Sequence, residues 1–156
     1  MKKEDKKIVY VDMDGVLCDY HGAYSDAIKI NPKIEYPQSQ HGFFSNLEPI
    51  TGAIESMRWL LESKFFDVHI LTAPSIHNPM SYTEKRVWVE KWLGFDMVKK
   101  LIITRNKGLN KGDFLIDDNT EGNGQSKFEG ELIHFGSESF PTWIEVSIFL
   151  NKLYEK

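Results

Sequence analysis

Short uninterrupted runs of apolar residues recur along this chain and alternate with longer segments in which apolar residues are three or four positions apart. Uninterrupted runs rich in β-branched and aromatic residues are typical of buried strands, whereas the wider spacing is typical of one face of a helix. The pattern therefore predicts strands at residues 8–11, 68–71, 101–103, 114–116 and 132–135.

Helical spacing predicts helices between and after these strands. A short helical pattern covers residues 23–30, and a second helix is expected to begin with Thr51 as its N-terminal cap. The starts of two later helices are indicated by the spacing of a capping box, in which a hydroxyl and a carboxylate satisfy the free amides of the first turn. The two pairs are Ser81 with Glu84, and Thr142 with Glu145.

Strands that alternate with helices predict an α/β fold with a parallel sheet, because parallel strands need crossover connections that then cover the sheet. We expect a single domain over residues 1–156 with a three-layer αβα, Rossmann-like arrangement. Residues from about 17 to 46, where prolines and glycines interrupt the helical pattern, are expected to form a small insertion. In open sheets of this kind, the ligand site lies beyond the carboxyl ends of the strands.

Polar side chains directly follow four of the predicted strands. They are Asp12 with Asp14, Thr72, Thr104 with Arg105, and Asp117 with Asp118. Because the carboxyl ends of parallel strands share one edge of the sheet, we expect these side chains to converge. One such residue could arise by chance, but four strand ends together indicate a functional site.

The segment Asp12-Met13-Asp14-Gly15 is the strongest of these signals. Side chains alternate along an extended strand, so the two carboxylates would lie on one face, and the glycine would allow a sharp turn. Two close carboxylates repel each other unless a cation or a proton relieves the repulsion. The pair is therefore expected to hold a metal ion and to take part in chemistry.

Acids, a hydroxyl and a lysine at one sheet edge suit metal-assisted phosphoryl transfer. Mg²⁺ favours carboxylate ligands and engages substrate phosphate. One aspartate can act as a nucleophile that forms an aspartyl-phosphate, and a second acid can protonate the leaving oxygen and later activate water. Lys85 and Lys107 are both candidates for the positive charge that holds the phosphate, and the sequence leaves this choice open.

Charge and composition limit the classes of partner. The net charge of -4 includes no large basic excess, which argues against a nucleic-acid polymer as the main partner. No apolar stretch is long enough to span a membrane, and no secretory segment precedes the first strand. The single cysteine, Cys18, cannot form an internal disulfide, and we expect a reducing, cytoplasmic location.

Together these motifs resemble those of the haloacid dehalogenase (HAD) superfamily of phosphatases. The superfamily pattern is matched by Asp12 with Asp14, Thr72, Lys85, and Asp117 with Asp118. Longer segments are similar to the 5′(3′)-deoxyribonucleotidases, at residues 11–17, 44–50, 71–74, 84–91 and 104–118. This likeness runs from Ile8 to about Asn119, and it identifies the insertion at about 17–46 as a short cap.

The resemblance implies a Mg²⁺-dependent phosphoric monoester hydrolase that converts (deoxy)nucleoside monophosphates to nucleoside and phosphate. It implies that Asp12 is the nucleophile and Asp14 the acid and base. The metal would be held by Asp12, the backbone carbonyl of Asp14 and Asp118, with Asp117 next to them. The implied substrate-binding residues are Thr72, Lys85, Lys107, Arg105, Tyr20 and Phe43, and Phe44 is expected to pack against the core.

The chain departs from the family pattern in two places, and these departures keep alternatives open. The cap is shorter than the family's, and Asn119 stands where the family often has arginine. A first alternative is therefore a HAD phosphatase that acts on another small phosphorylated metabolite. A second is a non-catalytic phospho-acceptor like a receiver domain, but such domains need an acid after the third strand, where this chain has Thr104 and Arg105.

Four tryptophans lie in predicted helices, and the sequence leaves two interpretations of them open. They either pack in the core or form a contact in a homodimer. The residues are Trp59, Trp88, Trp92 and Trp143.

Overall fold

The computed structural model of the chain describes residues 5–154 and contains a parallel sheet of five strands. The strands are β1 (Lys7–Val11), β2 (Phe66–Thr72), β3 (Leu101–Ile103), β4 (Phe114–Asp117) and β5 (Glu131–His134). Their order across the sheet is β3-β2-β1-β4-β5, and every neighbouring pair is parallel. The α/β class and all five predicted strands are confirmed, with ends that move by two residues or fewer.

Within residues 5–154, five α-helices and three short 3-10 helices lie between and after the strands. The α-helices are α1 (Tyr20–Ile30), α2 (Ala53–Glu62), α3 (Met80–Leu93), α4 (Phe95–Val98) and α5 (Trp143–Lys152). The 3-10 helices span Pro37–Ser39, Lys107–Leu109 and Gln125–Lys127. Between residues 5 and 154, none of the helices has the length and hydrophobicity needed to cross a bilayer.

Of the three predicted helix starts, one is confirmed and two are wrong. Thr142 and Glu145 form the predicted capping box at the start of α5. The predicted cap at Thr51 is wrong by one residue, because Gly52 takes the capping position of α2 with φ 82°. The predicted box of Ser81 and Glu84 is wrong as well: α3 already begins at Met80, and both side chains bond to other segments.

One face of the sheet is covered by α2, α3, α4 and α5 and carries the main core. The register places Val9 beside Val68 and Phe114, so their side chains point to the same face. They are buried there together with Trp88 and Trp143. Both tryptophans are thus core residues, and the partly buried Trp59 and Trp92 pack against the same cluster.

The opposite face carries a smaller cluster, to which no α-helix contributes within the described residues. Its buried members are Tyr10, Leu71, Leu115 and Phe128, and the last follows a 3-10 helix and packs edge-on against Tyr10 at 5.9 Å. The connections that flank β4 span only about a dozen residues each and form 3-10 helices instead of α-helices. The helical layers are therefore unequal, with the third layer reduced to short segments.

Candidate active site

The strand order brings four predicted strand ends to one edge of the sheet. Asp12 follows β1 directly, and its amide donates to the Ile116 carbonyl of β4 at 2.9 Å. Thr72 ends β2, and its carbonyl accepts from the amide of Thr104 at 2.9 Å. Asp117 ends β4. The predicted convergence of these strand ends is therefore present.

A tight turn after β1 aims the two acids of the first motif. The carbonyl of Met13 accepts the amides of Val16, Leu17 and Cys18, which closes the chain into a compact loop. Gly15 has φ 80°, and a Cβ there would lie 2.2 Å from Oδ2 of Asp118. The glycine is therefore required both for the turn and for the close approach of the acid that follows β4.

Asp12, Asp117 and Asp118 form a cluster whose ligand atoms lie within 4.8 Å of one another. Burial raises the pKa of Asp118 to about 7, and repulsion from Asp12 and Asp117 adds to this effect. Burial, with repulsion from Asp12, also raises the pKa of Asp117. When all three carboxylates are ionised, the neighbouring groups therefore offset only part of their negative charge.

Lys107 is the buried cation that partly balances this cluster. Its Nζ lies 2.9 Å from Oδ1 of Asp12 and 2.5 Å from Oδ2 of Asp117. Burial alone would lower the pKa of Lys107, but attraction and hydrogen bonds from both carboxylates outweigh it and the pKa is raised. The ammonium group is therefore firmly charged, beside the predicted nucleophile.

Lys85 serves a different pair of residues. From α3, its Nζ donates to Oγ1 of Thr72 at 2.7 Å and to Oδ2 of Asp14 at 2.9 Å. It also lies 5.1 Å from the ring centroid of Phe44. The two candidate lysines thus contact different acids: Lys107 contacts Asp12 and Asp117, and Lys85 contacts Asp14.

Asp14 is not a member of the three-acid cluster, although the charges of Asp12 and Lys107 act on it. Burial raises the pKa of Asp14, against the opposing attraction of Lys85. Its Oδ1 is buried and meets no hydrogen-bonding partner among residues 5–154. A carboxyl group with a raised pKa and a free oxygen is suited to carrying a proton.

Asp117 is held by residues that the sequence interpretation missed. Gln125 donates through Nε2 to Oδ2 of Asp117 at 3.4 Å, and the amide of Asn119 donates to Oδ1 at 2.9 Å. Gln125 is buried in the glycine-rich loop before β5. Its role could not be predicted because an amide inside a glycine-rich loop has no spacing signal that points to a strand end.

A cavity of about 290 Å³ opens beside the acids. Asp14 and Asp118 line its acidic end, and Tyr20, Phe44 and Gln38 from the insertion also face it. The cavity thus joins charged groups to aromatic rings, as a site for a phosphorylated molecule with a flat ring system would.

Of the six predicted substrate-binding residues, only Tyr20 is part of this cavity lining. Thr72, Lys85 and Lys107 lie outside it in the contacts described above, and Phe43 and Arg105 lie outside it as well. Phe43 packs edge-on against Tyr20 at 5.5 Å and against Phe44 at 5.2 Å. Arg105 is exposed on the loop after β3. The structure therefore gives Phe43 a supporting position behind the lining rings, and the binding role of Arg105 stays a prediction.

Glu84 anchors the insertion to α3. Its Oε1 accepts the amides of Phe44 at 3.1 Å and Ser45 at 3.4 Å, and the side chain is buried. This carboxylate therefore fixes the aromatic wall of the cavity to the helix that carries Lys85.

We expect Glu84→Ala to lower the free energy of unfolding by about 2 kcal/mol, because two buried amides lose their acceptor. Glu84→Gln keeps an acceptor oxygen and is expected to retain most of this stability. The exposed Glu90 on the same helix supplies the control, Glu90→Ala. Urea denaturation measures all three; a Glu84→Ala variant as stable as Glu90→Ala would contradict the anchoring role.

Comparisons with known proteins agree with this geometry. A sequence model of the family described as 5′ nucleotidase, deoxy (Pyrimidine), cytosolic type C protein matches residues 28–141. A protein of Vibrio phage KVP40, proposed to be a 5′(3′)-deoxyribonucleotidase, is 43% identical over 152 residues, which cover 96% of this chain and 87% of the phage protein. This chain belongs to the 5′(3′)-deoxyribonucleotidase family.

The human mitochondrial 5′(3′)-deoxyribonucleotidase is a more distant member of the same family. It is 30% identical over 167 aligned residues, which cover 88% of this chain and 68% of the human protein. Deoxyribonucleotidases are phosphoric monoester hydrolases, so membership makes this chain an enzyme of that class.

Solved structures place the deoxyribonucleotidase chain in the HAD fold. YfnB from Bacillus subtilis, a proposed HAD-hydrolase solved with bound magnesium, matches with a TM-score of 0.65 and 12% identity, over 95% of this chain and 100% of that one. A proposed haloacid dehalogenase-like hydrolase from Burkholderia xenovorans LB400 matches with a TM-score of 0.51 and 13% identity, over 92% and 89% of the two chains. The predicted HAD-like sheet is thereby confirmed.

Proposed function

We propose that this chain is a Mg²⁺-dependent phosphatase that hydrolyses (deoxy)nucleoside monophosphates through an aspartyl-phosphate on Asp12. The observation that carries the proposal is the meeting of three acids and a charged lysine beside a cavity lined by aromatic rings. Family membership supports the nucleotide as the substrate class.

The residues present fit a divalent metal ion. The raised pKa values of Asp117 and Asp118 reflect burial and repulsion that a cation would relieve. Both oxygens of Asp117 already accept hydrogen bonds from neighbours, so we assign the metal to Asp12, Asp118 and the backbone carbonyl of Asp14. When bound, Mg²⁺ supplies positive charge that offsets the charge of the phosphate.

Asp12 and Asp14 divide the chemistry in two steps. The Asp12 carboxylate attacks phosphorus, the bond from phosphorus to the ester oxygen breaks, and Asp14 gives its proton to that oxygen as the nucleoside leaves. Asp14 then takes a proton from water as the water oxygen attacks the phosphorus of the aspartyl-phosphate. The bond from phosphorus to Asp12 breaks, inorganic phosphate is released and the Asp12 carboxylate is restored. The raised pKa of Asp14 suits the first of these proton transfers.

Two lysines and a threonine would hold the phosphate oxygens. Lys107 lies beside Asp12, where the transferred group forms its bond, and Lys85 lies beside Thr72 and Asp14. Fixed donors of this kind stabilise charge that develops in the transition state. We assign Lys107 the contact nearest to phosphorus.

The segment of about 17–46 acts, in this proposal, as a small cap of a single domain. Its Tyr20, supported by Phe43, would contact the nucleobase. Cys18 is a buried free thiol, which fits the proposed cytoplasmic location.

A substrate panel tests the proposal. With Mg²⁺, we expect dUMP, dTMP and the corresponding 3′-monophosphates to be hydrolysed with higher kcat/KM than sugar phosphates. Equal or better turnover of the sugar phosphates would favour the first alternative, a phosphatase of another small metabolite. Failure to turn over even an aryl phosphate would contradict the enzymatic proposal and favour a phospho-acceptor.

A further inference from the structure

The cavity has a polar group that the phosphate chemistry does not use. Gln38 lines the cavity together with Tyr20 and Phe44. Its Oε1 is buried, and no donor within the described part of the chain lies within hydrogen-bonding distance. An unpaired buried carbonyl is unfavourable, and the residue that carries it lies in the cavity wall, where a bound ligand can supply the missing bond.

The backbone of Gln38 is held in place at the cavity wall by two features. It lies in the middle of the 3-10 helix Pro37–Ser39, where Pro37 is buried. Its carbonyl accepts from Nδ2 of Asn78 at 2.9 Å. Asn78 is itself buried, and its amide donates to Ser75, another residue of the cavity wall. The insertion is thereby tied to the loop after β2.

We infer that Gln38 is a specificity-determining residue that forms hydrogen bonds with the edge of the substrate's base. This inference rests on the proposed function. A carboxamide places an acceptor beside a donor. The N3–H and O4 of uracil and thymine present the complementary pair, so the base would donate to Oε1 and accept from Nε2. The nearby rings of Tyr20 and Phe44 would contact the apolar surface of the same base. A sugar phosphate has no planar base that presents this donor and acceptor side by side between aromatic rings.

The test compares Gln38→Leu with Gln40→Leu, a control at an exposed glutamine two residues further along. We expect Gln38→Leu to lower kcat/KM for dUMP by roughly 10- to 100-fold, mainly through KM, because a site built for a polar edge discriminates strongly. Turnover of deoxyribose 5-phosphate, which has no base, should stay within about twofold. Gln40→Leu should change neither substrate.

A modified substrate gives a second, independent measurement. N3-methyl-dUMP lacks the donor, so the wild-type enzyme should discriminate against it and Gln38→Leu should not. Gln38→Glu keeps the size of the side chain but faces O4 with an acceptor, and it should also weaken dUMP selectively; it replaces Gln38→Leu if that variant fails to fold.

The outcomes separate this inference from the proposed function. Unchanged dUMP kinetics in both Gln38 variants, or equal losses of kcat/KM with dUMP and deoxyribose 5-phosphate, would overturn the inferred contact between Gln38 and the base. The proposed nucleotidase function would still stand. A wild-type enzyme that hydrolyses no nucleoside monophosphate would contradict both.

Discussion

Replacing Asp12 by asparagine is expected to reduce turnover of dUMP by roughly four orders of magnitude or more, the scale on which loss of a catalytic nucleophile is felt in other enzymes. An amide cannot form the aspartyl-phosphate, and Lys107 retains its second partner, Asp117, so the fold should persist. Steady-state phosphate release and a thermal melt on the same preparation measure both expectations. The melting temperature should stay close to that of the wild type, since the substitution also removes one of three repelling charges.

The matched control is Asp26→Asn, the same substitution at an exposed acid of α1, which should leave turnover unchanged. A direct readout of the intermediate is also available. Borohydride added during turnover reduces an acyl phosphate, so position 12 of the wild type should become homoserine in the mass spectrum, and the Asp12→Asn protein should show no such product. Retained turnover in Asp12→Asn would reject the assigned nucleophile.

The strands and the acids were predictable because both depend on local sequence. A parallel sheet forces strand ends to one edge, so acids that directly follow apolar runs must meet there, as Asp12 and Asp117 do. The coverage of the second sheet face was less predictable. Alternating strands and helices do not show that the connections around β4 are too short for full crossover helices.

Residues that act through distant partners were the ones that sequence analysis missed. Glu84 has the spacing of a capping box with Ser81, yet it bonds to amides 39 and 40 positions away. Local pattern cannot distinguish these roles, because both satisfy backbone amides with a carboxylate. The roles of Gln38 and Gln125 likewise depend on contacts with segments that are not adjacent in sequence.

The choice between the two lysines also needed the structure. Sequence places Lys85 on a helix and Lys107 in a loop, and neither position excludes phosphate binding. Because Lys107 contacts Asp12 and Lys85 contacts Asp14 and Thr72, the two lysines are not substitutes for each other. Each neutralises a different acid of the first motif.

Removal of divalent metal is expected to lower turnover of dUMP by roughly a thousandfold. The charge stabilisation that a metal gives a phosphoryl group is worth several kcal/mol, and each 1.36 kcal/mol is about tenfold in rate. Dialysis against EDTA followed by assay measures the loss, and addition of Mg²⁺ should restore it. Activity that is unaffected by the chelator would exclude the metal from the proposed chemistry.

The same removal has a readout that does not depend on turnover. The folded-state pKa of Asp118, about 7, lies above its ordinary value of 3.8, so the metal-free folded protein binds more protons than the unfolded chain between these values. The contribution of Asp118 to the stability of the metal-free protein is therefore present at low pH and is lost as the pH rises through 7. The melting temperature in EDTA should therefore fall between pH 5.5 and 7.5, and Mg²⁺ should raise it more at the higher pH, where Asp118 is ionised. Asp118→Asn should remove most of the pH-dependent rise in melting temperature that Mg²⁺ gives. If Mg²⁺ raised the melting temperature equally at both pH values, in the wild type and in Asp118→Asn, the ion would bind elsewhere.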